Sequence, residues 1–203
     1  MNTHSSPSGH SLPAQWEQWI LDYPGVLVAA AWGLAEGTFF FIIPDVFLSY
    51  VAIFNWRRTS KHVMAAAAGA LLGGAFLFHW STASPGAAHA AITRVPFIRE
   101  AMFSSVDEGF RTHGLLAIFL GSISGIPYKL YAVEAPKFSR EAAFLLATPP
   151  ARLVRFLLVW VAFGAVAGWL QHKSAWARWK CFLIHVSIWI VSYAIYWGRI
   201  WFL

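Results

Sequence analysis

Charge is scarce in this chain. Of its 203 residues 12% are charged, about half the share of a soluble domain. Cysteine is almost absent: Cys181 stands alone in an apolar stretch, which excludes a disulfide framework and a cysteine-based zinc site. The eight histidines form no HxxxH or HExxH, so no metal site is expected. There is no GxSxG. The nearest string, Gly121-Ser-Ile-Ser-Gly125, reads as ordinary serines in a glycine-rich turn. Without a nucleophile–base pair, a metal set or a cofactor motif, the chain is not expected to be an enzyme. Nor does any basic face run long enough to track a phosphate backbone, which argues against nucleic acid despite a net charge of +6.

What remains is apolar. The composition is 58% hydrophobic, and mean hydropathy is +0.55. That is an all-α integral membrane protein of one domain. Residues 1–15 lack the basic start and apolar core of a signal peptide and are expected to be a disordered tail. The membrane domain is expected over 16–203, opening with a short interfacial helix whose Trp16, Trp19, Ile20 and Tyr23 share a face. Trp56, Trp80, Trp169, Trp176 and Trp179 lie near segment ends, as an interfacial belt requires.

The run 23–56 holds two charges, Glu36 and Asp45. A carboxylate at membrane depth costs about 2.5–3.5 kcal/mol. As one helix the run would measure about 51 Å, against roughly 30 Å of hydrocarbon. It is too long for one span and too short for two. It fits a re-entrant hairpin broken at Pro44, whose ring removes a donor and clashes with the preceding turn. Broken helices at depth are the usual place for transport sites.

A span is expected over 63–83, and an amphipathic surface helix over 86–112, with Ile92, Val95, Ile98, Met102, Val106 and Phe110 on one face. Residues 114–133, broken by Gly121, Gly125 and Pro127 and carrying Lys129, read as a second re-entrant hairpin continuing to about Ala147. Spans follow over 151–170, opening with Arg152 and Arg155, and over 181–198, within a C-terminal transmembrane segment 181–203. Each hairpin is followed by a span with a GxxxG, Gly69 to Gly73 and Gly164 to Gly168. The basic groups Arg57, Arg58, Lys61 and Lys173, Arg178, Lys180 belong in the cytoplasm, with the charge-balanced 84–113 outside. The hairpins then enter from opposite sides, as an inverted repeat.

The first hairpin is acidic at its centre and the second is basic. Facing repeats would therefore pair carboxylates with cations near the midplane. Such charges either lock the repeats together or line a cavity for a charged headgroup or proton. Lys129, Arg152 and Arg155 are suited to phosphate oxygens, and Tyr128 is either a packing aromatic or a headgroup contact. Glu36 is the expected proton carrier. Asp45, just past the break, is expected to be held ionised by freed backbone donors.

The strings FRTHGLLAIFLGSISGIPYKLYAVEA and LLATPPARLVRFLLVWVAFG, with Gly114, Pro-Tyr-Lys at 127–129 and Arg-x-x-Arg-Phe at 152–156, resemble the DedA family of VTT, or SNARE-associated, membrane proteins. The YqaA-like branch is most similar, over about residues 25–170. Where another branch carries Arg-x-x-Pro-x-x-Arg, this chain has Ser124 and Leu130. The resemblance implies a multi-pass protein of the bacterial inner membrane that translocates polyprenyl phosphate or phospholipid, with proton coupling in some members. An ion-coupled carrier of small solutes and a non-catalytic assembly factor are the alternatives. At 203 residues the chain has little wall for a closed solute cavity, unless it forms a homodimer.

Overall fold

The structure, a computed structural model, describes residues 12–173 and 178–202. Ten α-helices follow one another: α1 Leu12–Leu21, α2 Tyr23–Thr38, α3 Asp45–Asn55, α4 Thr59–Ala83, α5 Pro85–Thr93, α6 Glu100–His113, α7 Leu116–Ser124, α8 Tyr128–Glu134, α9 Glu141–Lys173 and α10 Arg178–Phe202. A short 3-10 turn, Ala135–Lys137, follows α8. No strand occurs among the described residues. The segments Thr59–Ala83, Glu141–His172 and Lys180–Gly198 are long and apolar enough to cross a membrane. Residues 1–11, most of the expected tail, lie outside the described residues, and α1 begins at Leu12, inside the stretch assigned to the tail. Pro13 is no obstacle there, because the first turn of a helix has no use for its missing donor.

The run 23–56 is two helices, not one. Thr38 turns its hydroxyl back onto the carbonyls of Leu34 and Ala35, and the Phe40 amide reaches the same Ala35 oxygen. The helix closes there. Pro44 caps α3 and has no N–H to offer the carbonyl four residues back, that of Phe40. Neither α2 nor α3 reaches across about 30 Å of hydrocarbon, their lengths being roughly 24 and 17 Å. A second break follows α7, where Gly125 takes φ +87° and Pro127 caps α8. That left-handed conformation is open to glycine at little cost.

Helix α2 lies on α4 with backbone against backbone. A Cβ on Gly69 would sit 2.0 Å from the Ala30 carbonyl oxygen, and one on Gly33 would sit 2.1 Å from that of Ala66. The Gly69–Gly73 pair therefore meets a partner pair, Gly33–Gly37 on α2. Gly164 abuts Trp56, whereas Gly168 faces open space. The other contacts alternate. Helix α3 packs on α9, α7 packs on α9, α8 packs on α4, and α4 crosses α9.

Two expectations need correction. The stretch 86–112 is two helices separated at residues 94–99, where Pro96 stands and Phe97 takes φ +66°. Their apolar face does not lie free. Ile92, Val95, Val106 and Phe110 are buried in the core with Leu130 and Tyr131 of α8. Residues 141–150 belong to no hairpin either. Helix α9 runs unbroken through Pro149 and Pro150, which puts Arg152 and Arg155 in its interior rather than at its start. The two prolines cost the helix the amides that would reach Leu145 and Leu146, yet it continues on its remaining bonds.

Candidate functional site

Both carboxylates of the first break meet arginines of α9. Arg152 Nη2 donates to Glu36 Oε2 at 2.5 Å, and Arg155 Nη2 lies 2.9 Å from Asp45 Oδ2. The arginines are three residues apart and so share one face of α9. Their surroundings differ. Arg152 is wholly buried, its guanidinium 5.0 Å from the Tyr128 ring and 4.8 Å from the Phe156 ring. Its Nε and Nη1 have no hydrogen-bond partner among the described residues. Arg155 keeps 18% of its side-chain surface exposed. Asp45 takes no backbone hydrogen bond through its carboxylate, contrary to expectation. The amides of the first turn of α3 bond backwards instead, Val46 to the Ile43 carbonyl and Phe47 to that of Pro44.

The backbone groups freed at the breaks are taken up by side chains from elsewhere. Lys129 Nζ donates to the Phe40 carbonyl at 3.0 Å, the acceptor that Pro44 leaves without a donor. The second break thus holds the first. Trp32 Nε1 donates to the Ile42 carbonyl at 3.0 Å. The Ile43 amide donates to the Tyr193 hydroxyl at 3.0 Å, and the Tyr196 hydroxyl donates to the Gly125 carbonyl at 3.1 Å. Backbone polar groups buried away from water need such partners.

Between the breaks lies a cavity of about 190 Å³, room for roughly six waters at about 30 Å³ each. Glu36, Lys129 and Arg155 line it, with Pro127 on the second break. Phe97 and Trp197 stack across one side, ring centroids 4.6 Å apart.

No family model, characterised protein or solved structure matches this chain.

The expected site residues therefore divide. Glu36, Lys129 and Arg155 reach the cavity, and Pro44 and Pro127 mark the two breaks. Asp45 is fully buried behind Arg155. Arg152 and Tyr128 do not line the cavity. The Tyr128 hydroxyl bonds Thr148 at 3.0 Å and fills the space above Gly74, while its ring stacks on Phe144. Ser122 and Ser124 bond carbonyls of their own helix.

Tyr193, Tyr196 and Trp32 are polar partners that sequence reasoning missed. The available signal was the spacing of Trp189, Tyr193 and Trp197, four residues apart on one helical face. A further cluster was missed outside the spans. Glu134, at the end of α8, pairs with Lys137 and lies 3.6 Å from His89 Nδ1. Lys137 also approaches Asp107 at 3.7 Å. Burial pushes Glu134 above the usual carboxylate value. A hydrogen bond from Lys137 opposes this, and one shared with Asp107 adds to it.

Proposed function

We propose that this chain moves phosphate-bearing lipids across a bacterial inner membrane, as a DedA-like protein built on two re-entrant hairpins in inverted repeat. The helix contacts support the repeat. Helix α2 packs on the span that follows it and α3 on the other span, just as α7 packs on the span that follows it and α8 on the other. The basic residues Arg57, Arg58 and Lys61, and Lys173, Arg178 and Lys180, set the orientation, with both groups in the cytoplasm.

One observation carries the functional reading: two acid–arginine pairs stand side by side at a broken helix, and one member of each reaches a cavity that also holds Lys129. The two pairs serve different ends. Glu36–Arg152, with its arginine sealed between two rings, locks the first hairpin to α9. Asp45–Arg155 is the pair that exchanges. A phosphate entering the cavity meets Arg155, whose fork suits two oxygens, and Lys129, a point charge on the same lining. Once phosphate takes Arg155, Asp45 is left without its cation. An unpaired carboxylate is costly in a low dielectric, so it takes up a proton. Headgroup entry and proton uptake are coupled in this way, and Glu36, which also reaches the cavity, is the next acceptor along the path.

The test is reconstitution into liposomes with a fluorescent phospholipid and, separately, a fluorescent polyprenyl phosphate, with and without a pH gradient. The expected result is flip that depends on the protein, with accumulation raised by the gradient. Gradient-dependent accumulation should be lost in Asp45→Asn while exchange persists. Equal accumulation in all conditions removes the proton. No flip of either lipid removes the reading.

A further inference from the structure

We infer that α10 is a lateral gate: its aromatic face forms the movable wall between the polar cavity and the membrane. The inference rests on the cavity proposed above as the headgroup site.

Trp189, Tyr193 and Trp197 make a ladder along α10, with centroids 6.1 Å apart at the first step and 4.7 Å at the second. These three residues line the polar cavity on one side and an apolar groove of about 460 Å³ on the other. Ile42, Val46 and Ile190 line the groove. The wall between a site lined by Glu36, Lys129 and Arg155 and a space of lipid character is thus one layer of rings thick. Displacing that layer joins the two, which is the geometry a two-part molecule needs when its head is charged and its tail is apolar.

The wall is latched rather than built in. Most of α10 faces away from the rest of the protein. Near the cavity its polar attachments are single hydrogen bonds, each to a backbone group of a break: Tyr193 to Ile43 and Tyr196 to Gly125. Trp197 stacks on Phe97 with the ring planes 7° apart. Phe97 holds φ +66°, a left-handed conformation that side chains other than glycine rarely adopt. Strain of that kind, in a loop that touches the gate, favours a second arrangement once the stack is released. Farther along, Trp189 bonds Ser49 at 3.0 Å and stacks on Phe163 of α9, which supplies a fixed end. The helix is therefore anchored at Trp189 and latched from Tyr193 to Trp197.

Two experiments test the gate in a Cys181→Ser background. In the first, Phe97→Cys and Trp197→Cys are joined by a short reducible bis-thiosulfonate. Linked protein should move fluorescent phospholipid at least tenfold more slowly than the same protein unlinked, and a reductant should restore the rate. Linked protein that moves lipid at the unlinked rate overturns the gate. In the second, Ile126→Cys, inside the cavity, is labelled in detergent with a maleimide. Labelling should be slow with the ladder intact and at least fivefold faster with Tyr193→Phe and Trp197→Ala added. Equal labelling overturns the gate. The labelling needs no lipid movement, so it decides the gate even if the transport reading fails, and protein that opens without moving lipid counts against transport alone.

Discussion

Replacing Glu36 with Met should destabilise the protein more than replacing its partner Arg152 with Met, and replacing both should recover most of the loss. The asymmetry follows from protonation chemistry. Without Glu36, the Arg152 guanidinium is a cation with no exposure, and two of its nitrogens already lack partners. Arginine cannot shed its proton. Removing one member of a buried pair costs about 3–5 kcal/mol, and Glu36→Met should fall in that range. Without Arg152, Glu36 still faces a cavity lined by Lys129, so its charge keeps a cation at hand and that loss should be smaller. The methionine also keeps a sulfur contact with the Tyr128 and Phe156 rings, which flank Arg152 at 5.0 and 4.8 Å. With both replaced, neither half of the pair is stranded, though Lys129 loses its acid neighbour, and the coupling energy of the cycle should reach about 2–3 kcal/mol. The measurement is unfolding in mixed micelles at increasing mole fraction of sodium dodecyl sulfate, followed by helical circular dichroism. Coupling below about 0.5 kcal/mol would refute the lock, as would a double variant no more stable than Glu36→Met. Asp45→Asn is the internal contrast. Arg155 is 18% exposed and lines the cavity, so water can solvate it, and the cost should be nearer 1 kcal/mol.

Three further outcomes are expected. Arg155→Ala should abolish lipid flip in liposomes and cost more stability than Asp45→Asn, because the fully buried Asp45 loses its cation, and Arg155→Lys should retain part of the rate, since charge survives but the fork does not. Gly69→Ala should destabilise sharply, because its Cβ would lie 2.0 Å from the Ala30 carbonyl, while Gly168→Ala, facing open space, should be neutral or slightly stabilising by micelle unfolding. Glu134 has a raised carboxylate, so its contribution to stability is full below the ordinary value of 4.5 and is lost as pH rises through the raised one. Unfolding titrations from pH 4 to 8 should show that decline in wild type and not in Glu134→Gln, and a decline of equal size in both would refute the assignment.

The long apolar helices were legible because length and hydropathy are one-dimensional signals: α4 and the span of α10 stand close to where composition puts them. The break before Pro44 was legible for a different reason, since no whole number of spans fits the run 23–56. Pairing across the break was legible only in kind. The cost of an unpaired charge in a low dielectric says that acids meet cations, but not which acid meets which arginine. Helix α9 was misread at its start, because Pro149-Pro150 looks like a boundary and a long helix can absorb it. The division of 86–112 into two helices was hidden for the opposite reason. Its apolar periodicity continues across the turn at 94–99, since both helices bury the same face. The spacing of Trp189, Tyr193 and Trp197 marked a shared face, but the hydrogen bonds of Tyr193 and Tyr196 were not legible. They depend on which backbone atoms the breaks leave free, a fact of three dimensions.

The Glu36–Arg152 pair spans 116 positions of sequence. At about 5–20 residues per second, synthesis leaves the acid without its arginine for roughly 6 to 23 s. During that interval α2 and α4 can already interlock through their glycines, because that contact needs nothing downstream. The first half of the protein therefore reaches the membrane as an assembled but acidic fragment. It must wait at the interface, or cross with its carboxylates protonated, until α9 emerges. A nonsense or frameshift lesion after α8 would leave that fragment permanently without its two arginines, a ready target for quality control. Ribosome pausing between residues 134 and 152 would lengthen the same exposure without changing a single residue of the finished chain.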